Sequence, residues 1–221
     1  DKKGLYLQGH APYVSGRMLS AYLCGGPNTC HETRDRKEAL EKLRSGMFVD
    51  ARDSSITKNV QEVYEGVKGV RFFDHLCLCT DDREADDILH VGHMNDVVRS
   101  AIRCGMDPVT AIKSATLNTA REIHLENLGA IAPGYVADML LVDDLTELKP
   151  SHVFFGGKLV ARDGKLTVEI PHREYPLEKV NTMCVKELSR EDFVIHAPVE
   201  NGTVTVHVME YPDLNLSSTL L

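Results

Sequence analysis

The regular alternation of short apolar runs and helical stretches over the first 120 residues most constrains the fold of this chain. The apolar runs predict strands at Gly4–Gly9, Met47–Ala51 and Leu76–Thr80, and a further strand that ends with Thr29–His31. A stretch with helical periodicity follows each of them. Such alternation favours a parallel sheet, because parallel strands need a crossover connection, usually a helix. Four such units are half of a (β/α)8 barrel, and an open four-stranded parallel sheet is the alternative. The predicted helices are Gly16–Cys24, Arg34–Arg44, Lys58–Val67, Asn95–Cys104 and Pro108–Leu117.

The second half of the chain has a different pattern, with short β runs punctuated by glycine. We interpret residues 1–124 as part of the barrel and residues 125–175 as a small β-sandwich module. Residues 176–221 are interpreted as the start of a C-terminal region that the sequence defines poorly. The strands predicted beyond the barrel are Gly129–Ile131, Ala137–Val142, Val153–Phe155, Lys158–Ala161, Leu166–Ile170, Val180–Val185 and Val204–Val208.

Charge and hydropathy limit the classes of partner. The chain has 25 Lys and Arg against 33 Asp and Glu, a net charge of −8, which argues against a nucleic-acid-binding protein. No apolar run approaches the roughly 20 residues of a membrane-spanning helix, and the six cysteines form no Cys-x-x-Cys pair. We therefore expect a cytoplasmic protein with reduced thiols that acts on a small molecule. The charged helix Asp35–Arg44 is expected to be a solvated outer face.

Three potential metal ligands each follow a predicted strand directly. His10, His31 and Asp81 lie just past the ends of the first, second and fourth β runs. Because active sites of parallel barrels lie at the carboxyl ends of the strands, we expect these side chains to converge. Two imidazoles and a carboxylate suit Zn²⁺, Mn²⁺ or Fe²⁺. Each residue alone is more often a structural histidine or a helix cap, so the prediction depends on their joint placement.

Six short motifs contain or follow these residues. They are Gly9-His10-Ala11-Pro12, Cys30-His31-Glu32, Cys79-Thr80-Asp81-Asp82-Arg83, Gly92-His93, Asn118-Thr119-Ala120, and the run from Leu128 to Asp138. In order and spacing, this set resembles the adenine deaminases of the amidohydrolase superfamily. The resemblance extends from about Gly9 to Ile195, and residues 196–221 depart from it.

The resemblance implies a barrel with a binuclear divalent metal centre of Mn, Fe or Zn. His10, His31 and Asp81 would be ligands from the fifth, sixth and eighth strands, and Asp81 would also shuttle the proton. The implied reaction is deamination of adenine to hypoxanthine and ammonia by a metal-activated hydroxide, in purine salvage or catabolism. Two histidines of the first strand and a carboxylate of the fourth would lie upstream of Asp1. We therefore expect a fragment that is inactive alone. We also expect the enzyme to be a homo-oligomer, namely a dimer.

Four further polar residues near the strand ends receive predicted roles. Glu32 and Arg52 are predicted to bind the purine; the alternatives are a solvated carboxylate of the first helical turn and a simple ion-pair partner. Asp82 and His93 are predicted to support the ligands through hydrogen bonds. Asp82 is also the alternative to Asp81 for proton transfer.

Two other functions stay open on the sequence alone. One is an amidohydrolase that opens a cyclic amide, which would release no ammonia from adenine. The other is a truncated barrel without catalysis that serves as an interaction surface.

Overall fold

The structure is a computed structural model that describes residues 6–210 and 219–220. The chain forms two compact units, residues 1–168 and residues 169–221. The helices of the first unit are α1 (Gly16–Cys24), α2 (Arg36–Arg44), α3 (Val60–Val67), α4 (Ala85–His90), α5 (Met94–Arg103), α6 (Pro108–Ala115) and α7 (Leu117–Glu122). Its strands are β1 (Thr29–Cys30), β2 (Phe48–Arg52), β3 (Leu76–Cys79), β4 (Met139–Val142), β5 (Pro150–Phe155), β6 (Lys158–Arg162) and β7 (Lys165–Leu166). The predicted mixed α/β class is confirmed.

The first three strands form a parallel sheet in the order β1, β2, β3. Val49 of β2 pairs with Leu76 of β3, and Arg52 pairs with Cys79. Helices α2 and α3 provide the crossovers that this parallel arrangement requires. The carboxyl ends of the three strands therefore lie at one edge of the sheet, where the predicted polar residues follow.

The first predicted strand, Gly4–Gly9, is wrong over its described part, since residues 6–9 belong to no strand. The Gly9 amide donates to the side-chain hydroxyl of Thr29 at 2.8 Å rather than to a backbone carbonyl. The segment is thus held beside β1 without a backbone ladder. Residues 4 and 5 lie outside the described part of the chain.

The core lies between the parallel sheet and the helices. Val49 and Leu76 from the strands pack in one buried cluster with Val63 of α3 and Val97 of α5. Burying one such side chain contributes roughly 1.5–3 kcal/mol relative to leaving it exposed. This buried cluster therefore fixes the parallel sheet, and with it the strand ends, against the helices.

Two capping or anchoring residues hold the later helices. As expected for a helix start, Asp107 caps α6 by accepting from the Thr110 amide, and Pro108 follows it. Asn118 of α7 is fully buried and donates to the carbonyls of Phe73 and Leu76 at 2.7 and 2.9 Å. The motif that begins at Asn118 therefore ties α7 to the start of β3.

The prediction that the helix Asp35–Arg44 is a solvated face is wrong at two positions. Lys42 is completely buried and Glu38 is 5% exposed. Their side chains form an ion pair, and Lys42 Nζ also donates to the Ala11 carbonyl at 2.6 Å. Glu38 in turn accepts from the Tyr13 amide at 2.8 Å. The buried ion pair therefore anchors the chain segment that follows His10, through Ala11 and Tyr13.

Beyond α7 the first unit contains one antiparallel sheet, in the order β4, β5, β6, β7. The predicted strand Gly129–Ile131 is wrong: Gly129 has a φ of +83° and approaches the Thr116 backbone too closely for a side chain. Of the predicted strand Leu166–Ile170, only Leu166 lies in a strand, at the end of β7.

The second unit contains little regular structure in its described residues. It has a four-residue helix α8 (Leu177–Val180), a 3₁₀ turn (Arg190–Phe193), and the short antiparallel pair β8 (Met209–Glu210) and β9 (Thr219–Leu220). The predicted strands Val180–Val185 and Val204–Val208 are wrong, because neither run pairs with another strand in the described part. An apolar run without a partner strand leaves its backbone groups to water.

Candidate active site

The segment after β1 carries His31 and Glu32 and is held by one asparagine. Asn59 Nδ2 donates to the carbonyls of His31 and Thr33 at 3.1 and 3.2 Å. Its Oδ1 accepts from the Arg52 amide at 2.7 Å. Asn59 thus joins the end of β1 to the end of β2 and fixes both relative to each other.

His10 is positioned by the residues on either side of it. Gly9 is bound to Thr29, the first residue of β1, and Ala11 is bound to the buried Lys42. Ala11 itself is 1% exposed. The His10 backbone is therefore fixed, although its side chain is about half exposed.

Asp81 directly follows Thr80 at the end of β3, in a left-handed backbone conformation with φ of +51°. Aspartate tolerates this conformation better than most residues, because its short side chain can bond locally. Arg83 anchors the same turn: its guanidinium donates to the Asp53 carbonyl at 3.0 Å and to Asp96 at 2.6 Å. The turn aims the Asp81 carboxylate at the neighbouring strand ends.

The structure brings the three predicted ligands together. The rings of His10 and His31 have centroids 5.1 Å apart. His31 Nε2 lies 3.9 Å from Asp81 Oδ2, and His10 Nε2 lies 3.4 Å from Glu32 Oε2. Side chains from three separated segments therefore converge at the carboxyl edge of the sheet, as the spacing predicts.

Arg52, at the end of β2, is the cation at the centre of this arrangement. Its side chain is 7% exposed and donates to Glu32 Oε1 at 2.8 Å. It also forms an ion pair with Asp81 and lies 3.7 Å from Asp82. Arg52 thus balances the charge of two or three carboxylates that would otherwise repel one another.

The pKa of His31 is lowered, mainly by burial and then by the positive charges of Arg52 and His10. A neutral imidazole is the form that binds a metal ion. His10, His31 and Glu32 have ligand atoms that all lie within 4.8 Å of one another. Imidazole nitrogens with a carboxylate oxygen suit a first-row divalent ion, so this donor set fits the predicted metal.

The observed positions of Glu32 and Asp81 differ from those that their predicted roles imply, and both roles stay predictions. Glu32, predicted to contact the purine, lies in the ligand group, whereas Asp81 is ion-paired with Arg52. Asp82 is half exposed, and His93 Nε2 lies 3.5 Å from the hydroxyl of Thr80. Both supporting residues therefore lie beside the turn of Asp81.

Sequence reasoning missed two residues that position this site. Asn59 lies inside the predicted helix Lys58–Val67, whereas the structure places it at the residue before α3. Lys42 was assigned to the solvent. A charged residue in a helix carries no local signal of burial, so only the fold reveals its role.

A cavity of about 250 Å³ opens beside the ligands. It is lined by His31 and Asp81, and also by Asp50, Cys77 and Glu122.

Among the described residues no helix has the length and apolar character needed to cross a membrane.

Comparison with known families identifies the chain. The family profile described as amidohydrolase matches residues 14–160, more than half of the chain. The chain belongs to the amidohydrolase family. The resemblance to the amidohydrolase superfamily, which the six motifs indicated, is therefore confirmed.

Curated relatives of this amidohydrolase are adenine deaminases. It is 40% identical over 195 residues to that of Kosmotoga olearia, covering 88% of this chain and 34% of that protein. Identity to adenine deaminase 1 of Carboxydothermus hydrogenoformans is 38% over 224 residues, 98% of this chain and 36% of that protein. The chain thus spans about a third of the length of these curated relatives.

Two solved structures share the fold. A beta-aspartyl dipeptidase from Fervidobacterium islandicum AW-1 matches 70% of this chain and 44% of that chain, with a TM-score of 0.54 and 22% identity. An amidohydrolase from Thermotoga maritima MSB8 matches 72% of this chain and 44% of that chain, with a TM-score of 0.50 and 17% identity. At these identities the likeness concerns the fold alone.

Proposed function

We propose that this chain is the C-terminal half of a (β/α)8 barrel, followed by part of a β-sandwich module, in an adenine deaminase. The observation that carries the proposal is the convergence of His10, His31 and Asp81 at the carboxyl ends of parallel strands. The choice of adenine as the proposed substrate is supported by relatives named adenine deaminase at 38–40% identity. The proposed reaction converts adenine and water to hypoxanthine and ammonia.

His10 and His31 would hold a divalent ion of a binuclear centre, with Asp81 or Glu32 as the carboxylate ligand. The bound metal would supply Lewis acidity that lowers the pKa of a water molecule. Manganese, iron and zinc all suit these donors, and availability decides among them. The low pKa of His31 keeps its nitrogen free to bind at neutral pH.

Asp81 is the proposed proton carrier. Its Oδ2 faces His31 Nε2 at 3.9 Å, close enough to reach a water held between the ligands. The carboxylate accepts a proton from the water as its oxygen adds to C6 of adenine, and delivers a proton to the departing amine. The C6–N bond then breaks and ammonia leaves. The ion pair with Arg52 holds the Asp81 carboxylate beside the strand ends.

Glu32 and Arg52 are the proposed contacts to the purine. Arg52 presents a guanidinium fixed by Glu32 at 2.8 Å, and such a planar donor suits ring nitrogens of a purine. The adjacent cavity of about 250 Å³ gives room for a small planar molecule. We further propose a cytoplasmic, dimeric enzyme of purine metabolism with no nucleic-acid or membrane partner.

The test uses the intact protein, purified without metal and then supplied with manganese, iron or zinc. Ammonia release from adenine, with hypoxanthine identified by chromatography, supports the proposal. Hydrolysis of a cyclic amide with no ammonia from adenine would assign the site to another amidohydrolase reaction. Inactivity on both classes of substrate with every metal would favour a barrel without catalysis.

A further inference from the structure

A second group of potential ligands lies inside the first unit. Asp50 of β2, Cys77 of β3 and Glu122 at the end of α7 have ligand atoms within 4.8 Å of one another. Asp50 and Cys77 are partners across the parallel strands, so their side chains leave the sheet on the same face. The three residues are only 5%, 1% and 2% exposed. They share no ligand with the histidine group at the strand ends.

One atom of this group lacks the partner that burial requires. Asp50 Oδ1 is buried and has no hydrogen-bond partner in the described part of the chain. Asp50, Cys77 and Glu122 all line the cavity of about 250 Å³. Leaving a buried polar atom unsatisfied costs about 1–3 kcal/mol, and more for a charged group. A ligand in the cavity that binds this oxygen would remove that cost.

The charge of the group indicates what such a ligand must be. Burial is the main cause that raises the pKa of Asp50, and the adjacent Glu122 raises it further. The pKa of Cys77 is raised by burial and by both carboxylates. Tyr6, whose hydroxyl donates to Glu122 at 3.2 Å, also has a raised pKa. Burial and the neighbouring carboxylates favour the protonated forms of Asp50 and Cys77, and a cation can replace those protons.

We propose that Asp50, Cys77 and Glu122 bind one divalent cation of zinc-like softness. A thiolate favours Zn²⁺ over Mg²⁺, Ca²⁺ or Mn²⁺, and two carboxylate oxygens complete an O₂S set. Ligand atoms in a tetrahedral zinc site lie roughly 3.3–3.7 Å apart, and those of the observed group lie within 4.8 Å of one another. Each protonated ligand releases its proton to solvent on binding. The ion would join β2, β3 and α7.

The first experiment adds Co²⁺, a spectroscopic substitute for zinc, to the metal-free intact protein. A Co²⁺ ion bound to a thiolate gives a charge-transfer band in the near ultraviolet, which the histidine group cannot give because it contains no thiol. We expect this band to saturate at one ion per chain and to disappear when Zn²⁺ is added. Absence of the band at saturating Co²⁺ overturns the proposal.

Variants locate the ligand. Cys77→Ser should abolish the band and lower the zinc content by one ion per chain, while Cys79→Ser, on the same strand, serves as the matched control and should keep both. A band that survives Cys77→Ser, or that is lost equally in Cys79→Ser, contradicts the proposal.

A second variant covers the case in which Cys77→Ser fails to fold. Glu122→Gln keeps the shape of the side chain and should weaken Co²⁺ binding by about tenfold or more. Unchanged affinity in Glu122→Gln contradicts the proposal. The thiolate band itself is independent of the proposed deaminase, whose proposed ligands include no thiol.

Discussion

The ligand group at the strand ends and the ligand group inside the fold carry similar carboxylates but differ in how charge is balanced. At the strand ends, Arg52 is paired with Glu32 and Asp81, and both carboxylates are partly exposed. Inside, burial raises the pKa of Asp50, and the adjacent Glu122 raises it further. The carboxylates at the strand ends thus have a cation beside them, whereas burial favours the protonated form of Asp50 unless a cation enters the cavity.

The largest expected effect tests the Asp81 carboxylate at the strand ends. In the intact protein Asp81→Asn should lower kcat by about a thousandfold or more, because an amide cannot accept the proton of the attacking water. Steady-state ammonia release measures the loss. Activity of Asp81→Asn within tenfold of the unchanged protein would assign proton transfer elsewhere, with Asp82 as the next candidate.

The control for that variant concerns the backbone. Asp81 has a φ of +51°, which asparagine also adopts readily, so Asp81→Asn should melt close to the unchanged protein. Asp81→Val would add backbone strain of about 1–2 kcal/mol and would therefore confuse folding with chemistry.

The next effect tests a buried charge whose partner is present. Lys42→Met should lower the free energy of unfolding by about 3–5 kcal/mol, because it leaves Glu38 buried without its cation. Chemical denaturation measures this loss. In the double variant Lys42→Met with Glu38→Gln much of the stability should return. A single variant as stable as the unchanged protein would show that the pair is dispensable.

A smaller effect tests the balance at the strand ends. Arg52→Gln removes the cation from Glu32 and Asp81 and should lower kcat/KM by roughly 10–100-fold, the scale of a lost charge-assisted hydrogen bond. Arg36→Gln, whose guanidinium is exposed and pairs with Glu62, is the matched control and should leave kcat/KM unchanged. Equal kinetics in the two variants would remove Arg52 from the site.

The smallest effect concerns the buried group in metal-free protein. Because the pKa of Asp50 is raised above 3.8, the folded state binds more protons than the unfolded state over that interval. Stability therefore falls as pH rises from about 4 through the raised pKa. Asp50→Asn should flatten this dependence and raise stability at neutral pH by about 1 kcal/mol. Thermal melts in chelator at several pH values measure it, and an unchanged slope would contradict the assignment.

The sequence predicts the site better than the segments that support it. His10, His31 and Asp81 each follow an apolar run, and parallel alignment of the runs is enough to bring such residues together. Lys42 could not be predicted, because its helix has the charge pattern of a solvated face and its partner Ala11 lies 31 residues away. The first predicted strand failed for a related reason: an apolar run becomes a strand only where a neighbour accepts its backbone hydrogen bonds.

The bond from Lys42 to the Ala11 carbonyl links the proposed metal ligand His10 to a helix that contributes no proposed ligand. Since His10 directly precedes Ala11, any local opening of α2 releases the backbone of that ligand. Metal binding and helix docking are then thermodynamically linked, so an ion bound to His10 suppresses the opening by mass action. Backbone amides of α2 should exchange with deuterium more slowly once metal is added, although no residue of the helix touches the ion.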